Sequence, residues 1–429
     1  MSKLQTENTN QQLTSSSPFL KACRFCGGGL GEPYLDLGKM PLANSYVAPA
    51  DVNKPEPAFP LRVYLCRRCF LSQLADYAQA ETIFNDQYAY FSSYSTSWLA
   101  HAQAYVEQMT DRFGFNTSHQ VIEIASNDGY LLQYFVKKGI PVLGIEPCAN
   151  TAKAAEEKGV PSRVEFFGTE LARKLRDEDK SADLLLGNNV LAHVPDLNDF
   201  VAGMKIILKP DGILTMEFPH LVKLIEHNQF DTIYHEHFSY FTFSAAERVF
   251  AKHGFTLFDV EELPTHGGSL RIYGKHSVCQ DYPVTRRVAD LRDDEKNKGF
   301  ESVELYERFA AQVQEVKAEL LAFLKTAKEQ GKKVAAYGAP AKGNTLLNFC
   351  GVTPQEISFT VDLSPHKQGH LLPGTRIPIY APERIREEKP DYVLILPWNL
   401  KEEIAKQMAF ISEWGGKFVL PIPRLEVLE

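Results

Sequence analysis

The sequence predicts an α/β protein in which a small cysteine-containing module precedes two Rossmann-like domains. Three observations carry this prediction. Four cysteines form two CxxC pairs near the start of the chain, and strand-like runs alternate with helical periodicity from residue 81 to about 280. A second strand–loop–helix pattern begins at Gly331. Such alternation is typical of parallel sheets flanked by helices, and 429 residues suffice for two or three domains.

Composition argues against two classes of protein. A hydrophobic content of 44% and a net charge of −8 are ordinary for a globular chain and disfavour a broad nucleic-acid-binding surface. No apolar run approaches the roughly 20 residues of a membrane helix. The first 17 residues lack the apolar stretch of a secretory signal. With seven cysteines, an odd number, we expect a cytoplasmic protein without nucleic-acid or membrane partners.

The composition changes along the chain and divides it into five segments. Apolar residues at helical spacing between Phe309 and Leu324 predict one long connecting helix before the last segment. The predicted segments are a disordered tail over 1–18, a zinc-binding module over 19–80, a cofactor domain over 81–285, the linking helix over 286–330 and a smaller α/β domain over 331–429.

The CxxC pairs are the basis for the metal prediction. Cys23 and Cys26 form the first pair, Cys66 and Cys69 the second, with 39 residues between the inner cysteines. Two such turns close a tetrahedral shell of four thiolates around Zn²⁺, which leaves no open position for chemistry. Redox-active pairs or disulfides are the alternatives. The remaining cysteines stand alone and are interpreted as buried apolar residues.

The cofactor domain begins with a strand, a tight loop and a helix at residues 121–132. A second strand ends at Glu146, twenty-three residues after Glu123, where an acid can reach the ribose hydroxyls of a nucleotide. The first loop contains a single glycine, Gly129, and is not the GxGxxG of dinucleotide sites. Asn127 and Asp128 offer polar side chains instead. These residues favour S-adenosylmethionine and leave NAD open.

Several motifs together resemble one enzyme family, the sugar C-methyltransferases of deoxysugar biosynthesis. The resemblance covers nearly the whole chain after the tail, including both CxxC pairs. Its motifs are EIASNDGYLL at 123–132, GIEP at 144–147, LGKMPLAN at 37–44, YAYFSSYS at 88–95, GNNVLAHVP at 187–195 and YHEH at 234–237.

The resemblance implies a cofactor, a substrate and a reaction. The cofactor is S-adenosylmethionine, and the substrate is a nucleoside-diphosphate 4-keto-deoxysugar, dTDP-linked, methylated at a ring carbon (C3) beside the ketone through a base-generated enolate. The residues expected at the cofactor are Glu123, Asn127, Asp128, Gly129, Glu146, Pro147 and Asn188.

The YHEH motif lies in an aromatic stretch and supplies the candidate base. A histidine is the best proton acceptor near neutral pH. If the motif is extended, alternation places His235 and His237 on one side. The resemblance assigns the base to His237, with Tyr234 and Glu236 as helpers and His193 and Tyr88 near the sugar. A core histidine, a metal ligand and, for residues 88–94, a simple core seam are the alternatives.

The loop YGAPAKGNT at 337–345 follows a strand and precedes a helix. Its amides and Lys342 would suit a diphosphate, although a plain strand–helix turn needs no ligand. The predicted substrate residues are Lys342, Asn344, Thr345, Asp362 and Ser364, and Lys367 could add charge.

Three other functions fit parts of the pattern. An O- or N-methyltransferase would keep the cofactor without needing a ketone. An NAD-dependent sugar-nucleotide oxidoreductase would use the same strand-end acid. A noncatalytic sugar-nucleotide-binding scaffold would keep the structural zinc.

Overall fold

The computed structural model describes residues 21–75 and 91–428. The predicted tail over 1–18 lies outside the described residues, as does Tyr88. The strands are β1 (Leu35–Met40), β2 (Phe59–Leu65), β3 (Ser72–Leu74), β4 (Val121–Ile124), β5 (Val142–Ile145), β6 (Ser162–Arg163), β7 (Ala182–Asn188), β8 (Leu208–Pro219), β9 (Ser239–Tyr240), β10 (Phe255–Leu263), β11 (Ser269–His276), β12 (Val334–Tyr337), β13 (Thr360–Val361), β14 (Ile379–Tyr380), β15 (Tyr392–Ile395), β16 (Lys417–Leu420) and β17 (Glu426–Val427).

Helices cover the faces of two of the sheets. The α-helices are α1 (Thr96–Phe113), α2 (Leu132–Lys137), α3 (Ala149–Glu157), α4 (Thr169–Asp177), α5 (Leu197–Ile207), α6 (Leu221–Glu226), α7 (Phe243–Lys252), α8 (Arg286–Asn297), α9 (Val303–Glu329), α10 (Ala341–Cys350), α11 (Glu383–Glu388) and α12 (Lys401–Gln407). Short 3₁₀ turns lie at Pro49–Asp51, Ser92–Tyr94, Leu191–His193, Phe230–Thr232, Thr265–Gly267, Trp398–Leu400 and Ala409–Trp414.

The first sheet is antiparallel and joins two distant parts of the chain. Its order is β1-β2-β3-β9, so the cysteine-containing segment supplies three strands and residues Ser239–Tyr240 supply the fourth. Ser72 pairs with Tyr240 and Gln73 with Ser239. The module is therefore completed by a strand from the segment that follows the YHEH motif.

The central sheet has the order β10-β11-β8-β7-β4-β5-β6. Strands β4 to β8 run parallel, and β11 is antiparallel to both of its neighbours, β8 and β10. Val121, Ile122 and Ile124 are buried because helices cover both faces of the sheet. The strand order reverses between β4 and β7, which opens a crevice at their carboxyl ends.

The third sheet has the order β14-β13-β12-β15-β16-β17. Its first five strands are parallel, as the Rossmann-like prediction requires, and β17 is an antiparallel edge. The expected strand over 357–362 is shorter, because only Thr360–Val361 pairs as a strand. The strand order reverses a second time between β12 and β15, and residues that follow β12 line a cavity shared with the central domain.

The prediction of a single linking helix over 286–330 is wrong in one respect. The chain forms two helices, α8 and α9, separated at Gly299, whose φ of +86° is incompatible with continued helix. The apolar face of α9 is as expected, with Phe309, Val313 and Leu320 buried. This face packs into a core shared with the first sheet and the third domain.

No helix within residues 21–75 and 91–428 combines the length and the apolar character needed to cross a membrane.

Candidate functional site

A cavity of about 400 Å³ lies where the three sheets meet. The first sheet's module contributes Asn44, the central domain contributes the carboxyl ends of β4, β5 and β7, and the third domain contributes Lys342 and Lys367. Such a crevice at the topological switch point is where open α/β sheets bind ligands.

The loop after β4, which forms part of the cavity wall, contains two residues with left-handed backbone conformations. Ala125 and Asn127 both adopt left-handed conformations, with φ of +57° and +49°, which turn the chain sharply away from the sheet. The Glu146 carboxylate accepts hydrogen bonds from the backbone N–H of Asn127 (2.9 Å) and of Cys148 (3.0 Å). Burial raises the pKa of Glu146, and these two bonds oppose the increase. The carboxylate is thus held in one orientation at the cavity wall.

Four of the seven predicted cofactor residues line the cavity: Asn127, Glu146, Pro147 and Asn188. The other three are buried beside it. Asp128 pairs with Lys158 (2.9 Å), and the pKa of Glu123 is held well above its ordinary range by burial. Gly129 packs against α3, where an added Cβ would lie 3.1 Å from that of Ala155. These three residues therefore lie next to the cavity lining and are not part of it.

The site residues fit S-adenosylmethionine. Glu146 offers an oriented acceptor for ribose hydroxyls, and apolar side chains such as Ile145 and Val190 face the same space. The indole of Trp98 stacks on Tyr130 with ring centroids 5.8 Å apart, which adds an aromatic wall. The arrangement combines an apolar surface with a few fixed polar groups, as small-molecule sites do.

The YHEH motif forms a tight turn, in which the backbone N–H of His237 donates to the carbonyl of Tyr234 (2.9 Å). The motif is therefore not extended, and the expectation that alternation places His235 and His237 on one side does not apply. Tyr234, Glu236 and His237 all line the cavity, whereas His235 Nε2 lies 3.2 Å from the carbonyl oxygens of Phe59 and Pro60 in β2.

His237 has a defined tautomer. Its Nδ1 lies 3.1 Å from the carbonyl oxygen of Thr232, which can only accept, so Nδ1 carries the proton and Nε2 keeps a lone pair. Burial lowers the pKa of His237 well below its ordinary 6.5, and His193 adds to the decrease. The ring of Tyr234 lies 4.1 Å from that of His237 and the ring of His193 lies 4.6 Å away.

Glu236 is the second titratable group of this turn. Burial raises its pKa to about 7, although a hydrogen bond from Asn44 Nδ2 (2.7 Å) opposes the increase. Burial also lowers the pKa of His193 to about 4. The turn therefore places a neutral base beside a carboxyl group that can hold or release a proton near neutral pH.

The third domain contributes two cations. Lys342 donates to Asn399 Oδ1 (2.6 Å) and lies 4.3 Å over the ring of Trp398. Burial lowers its pKa to about 8, and Asp231 opposes the decrease. Lys367 donates to the carbonyl of Ala339 (3.0 Å).

The other predicted substrate residues lie outside the cavity lining. Asn344 Nδ2 donates to the carbonyl of Ala43 (2.6 Å), and Thr345 Oγ1 donates to that of Ile233 (2.9 Å). Asp362 accepts from the backbone N–H of Ala339 and of Ser364. These side chains join the domains or order the loop.

Several residues that line the cavity were not predicted from the sequence as site residues. Asn44 lies within the LGKMPLAN motif, which was the available signal, and a glycine pair after His266 marks a turn. Trp98 and Gln229 carry no local signal, because only the tertiary structure brings them to the cavity.

The four cysteines meet at one point. The Sγ atoms of Cys23 and Cys69 are 3.6 Å apart, those of Cys26 and Cys66 are 3.5 Å apart, and all four lie within 4.8 Å of one another. Tetrahedral thiolates bound to zinc at about 2.3 Å lie about 3.8 Å apart, so the cluster fits Zn²⁺. Gln73 Nε2 donates to Cys23 Sγ (3.2 Å), an outer contact typical of structural metal sites.

The parallel sheet, the strand-end acid and the cavity define an S-adenosylmethionine-dependent methyltransferase. Residues 98–260 match a family described as "Methyltransferase domain", residues 23–84 one described as "Putative zinc binding domain", and residues 264–423 one described as "C-methyltransferase C-terminal domain". The chain is 36% identical to the C-methyltransferase NovU of Streptomyces niveus, over 95% of this chain and 96% of that protein. It therefore belongs to the C-methyltransferase family.

Two other similarities involve only part of the chain. A ubiquinone biosynthesis O-methyltransferase of Rhodopseudomonas palustris (strain BisA53) is 27% identical over 23% of this chain and 38% of that protein. The solved structure of magnesium protoporphyrin IX methyltransferase from Synechocystis PCC 6803 with bound SAM is 12% identical, covering 42% of this chain and 79% of that chain with a TM-score of 0.32.

The cysteine cluster predicts about one Zn²⁺ per chain in protein purified without chelators, measurable by elemental analysis. Cys66→Ser should lose the metal and destabilise the module, while calorimetry with S-adenosylmethionine shows little change in affinity. Cys279→Ser, a change at an isolated buried cysteine of the central domain, should retain the metal. Metal-free wild-type protein would contradict the assignment.

Glu146→Ala should weaken S-adenosylmethionine binding by about one to two orders of magnitude, since charge-assisted hydrogen bonds are worth about 1.5–3 kcal/mol. Isothermal calorimetry measures the affinity, and a melting curve verifies that the loop held by Glu146 stays folded. Glu156→Ala, on the exposed side of α3, is the matched control. Wild-type affinity in Glu146→Ala would remove this carboxylate from the ribose site.

Proposed function

We propose that this C-methyltransferase transfers a methyl group to the ring carbon beside the 4-keto group of a nucleoside-diphosphate deoxyhexose, with C3 as the predicted position. The observation that carries the proposal is the tautomer of His237, because its bond to the Thr232 carbonyl leaves Nε2 as a base. A C–H bond next to a ketone is acidic enough for such a base. O- or N-methylation would need no carbon acid at all.

S-adenosylmethionine supplies an electrophilic methyl group when bound. The residues of this chain perform the other tasks. His237 Nε2 would take the proton from the ring carbon, and Tyr234, whose ring packs on the imidazole, would restrict its rotation. Glu236, held by Asn44, presents its carboxyl group to the same space and is suited to bind a sugar hydroxyl.

The nucleotide is proposed to bind along the third domain. The loop before α10 and the ammonium groups of Lys342 and Lys367 line the cavity on that side. A diphosphate needs positive charge and hydrogen-bond donors. The two ammonium groups supply the charge, and the first turn of α10, which no N-cap side chain caps, is suited to supply backbone amides. Asn344 and Thr345 would support the site indirectly, since their side chains fasten α10 to the rest of the protein. A dTDP group is the predicted nucleotide.

The base can be tested by proton exchange separated from methyl transfer. With dTDP-4-keto-6-deoxyglucose and S-adenosylhomocysteine in D₂O, the wild type should exchange the hydrogen beside the ketone, detected by NMR. His237→Asn should lose exchange and reduce methylation by about 10²–10⁴. His235→Asn is the matched control, because asparagine can still donate to the β2 carbonyls, and it should retain exchange.

The pH profile adds an independent readout. The unprotonated form of His237 is the active base, and burial lowers its pKa below 6.5. The acidic limb of the exchange rate should therefore fall below pH 6.5. Near wild-type methylation by His237→Asn would refute the base assignment. A product methylated on oxygen or nitrogen would refute the enolate reaction itself.

A further inference from the structure

His266 lies at the junction of the three proposed subsites. It lines the cavity and contacts Trp98 edge-to-face, with ring centroids 4.9 Å apart. It is also near enough to His237 to lower the pKa of that imidazole, and the charge of Lys342 acts in turn on His266. A sugar ring bound between His237 and the proposed diphosphate site would therefore lie next to the His266 side chain.

The backbone of His266 is strained. Its φ of +55° and ψ of +22° place it in the left-handed region, which a residue with a side chain seldom adopts. Gly267 and Gly268 follow with φ of +90° and +121°. Such strain persists only where surrounding contacts impose it, and it occurs preferentially at functional sites.

Those contacts are partly buried hydrogen bonds on both sides of His266. Thr265 Oγ1 donates to Glu217 Oε1 (3.0 Å), and Gln229 Nε2 donates to the carbonyl of Gly267 (2.8 Å). Glu217 is itself fixed by Arg271 (2.8 Å) and His101 (2.9 Å). A charged network inside the protein therefore holds the position of a single imidazole.

The imidazole has unused hydrogen-bonding capacity. Neither ring nitrogen of His266 has a hydrogen-bond partner among the described residues, and Nδ1 is shielded from solvent. A shielded N–H without an acceptor is rarer in folded proteins than a shielded acceptor without a donor. The proton therefore belongs on Nε2, the ring nitrogen of this cavity-lining residue that is not shielded from solvent. Burial lowers the pKa of His266 to about 4, so the ring is neutral at pH 7.

We propose that His266 Nε2–H donates a hydrogen bond to the ketone oxygen of the sugar and stabilises the enolate, an inference that rests on the proposed function. His237 Nε2 takes the proton as the C–H bond breaks. The electron pair of that bond forms the carbon–carbon double bond, and the carbonyl π pair moves to oxygen. A neutral imidazole is an effective donor to such an oxyanion. His266 would thus be a catalytic residue that contacts the substrate.

Two substitutions test this role without adding backbone strain, because glycine and asparagine both tolerate left-handed φ. His266→Gly removes the donor, and His266→Asn keeps an amide donor. In D₂O with S-adenosylhomocysteine and dTDP-4-keto-6-deoxyglucose, His266→Gly should exchange about 10²–10³ times more slowly than the wild type. Added imidazole should restore part of the rate, and His266→Asn should retain more of it than His266→Gly. His227→Gly, at an exposed histidine after α6, is the control.

The outcomes separate this inference from the proposed function. If the wild type neither exchanges nor methylates any 4-keto sugar nucleotide, the proposed function fails. If the wild type exchanges and His266→Gly matches it, only the role of His266 is overturned. Calorimetry with dTDP and with S-adenosylhomocysteine should give wild-type affinities for His266→Gly. Loss of exchange that imidazole fails to restore, together with weakened binding of either ligand, would reduce His266 to a structural residue.

Discussion

The turn that carries His237 is fixed by contacts to the cysteine-containing module, the central domain and the third domain, and the proposed chemistry depends on that constraint. Immediately after the turn, β9 pairs with β3 of the cysteine-containing module. Before it, the carbonyl of Ile233 accepts from Thr345 Oγ1 of the third domain. On the central domain, the backbone N–H of Phe238 donates to the carbonyl of Ala192 (2.7 Å), next to His193. A shift of the module or of either domain would therefore move the base.

Burial determines the charge states in this cavity. It lowers the pKa of His193, His237 and His266 and raises that of Glu236. A base with a lowered pKa is intrinsically weaker, which would oppose proton abstraction. Proton transfer, however, creates an imidazolium and an enolate side by side, and opposite charges attract strongly where water is excluded. The low dielectric penalises an isolated charge far more than the pair that the reaction forms.

Features encoded by neighbouring residues could be predicted from the sequence. The CxxC turns, β4 with its loop, β5 ending before Glu146, and β12 before α10 are all local patterns. Features set by tertiary contacts could not. The break at Gly299 was hidden by a helical pattern on both sides of it, and the orientation of His235 toward β2 depends on a strand about 170 residues earlier in the chain.

The same distinction applies to the site. The family resemblance predicted that several residues belong to one site. Five of them line one cavity: Asn127, Glu146, Asn188, Glu236 and His237. It could not separate side chains that face the cavity from those that hold it together. Asp128 and Asn344 look like ligand residues in a motif. Asp128 Oδ2 pairs with Lys158 and Asn344 Nδ2 donates to the Ala43 carbonyl, while the Oδ1 atom of each has no partner among the described residues. Only the three-dimensional partners of each group reveal this difference.

A closed shell of four thiolates leaves the metal no open position for chemistry, yet the module that carries it is connected to the base at several points. Asn44 holds the Glu236 carboxylate, and the β2 carbonyls accept from His235. The first CxxC turn also contacts the segment after His193, since Asn198 Nδ2 donates to the carbonyls of Arg24 (2.9 Å) and Phe25 (3.0 Å). A metal that fixes the two CxxC turns therefore also fixes the parts of the module that contact the turn carrying His237 and the segment after His193. We infer that its contribution to the proposed reaction is rigidity, because hydrogen bonds of Asn44 and His235 join the module to the turn that carries His237.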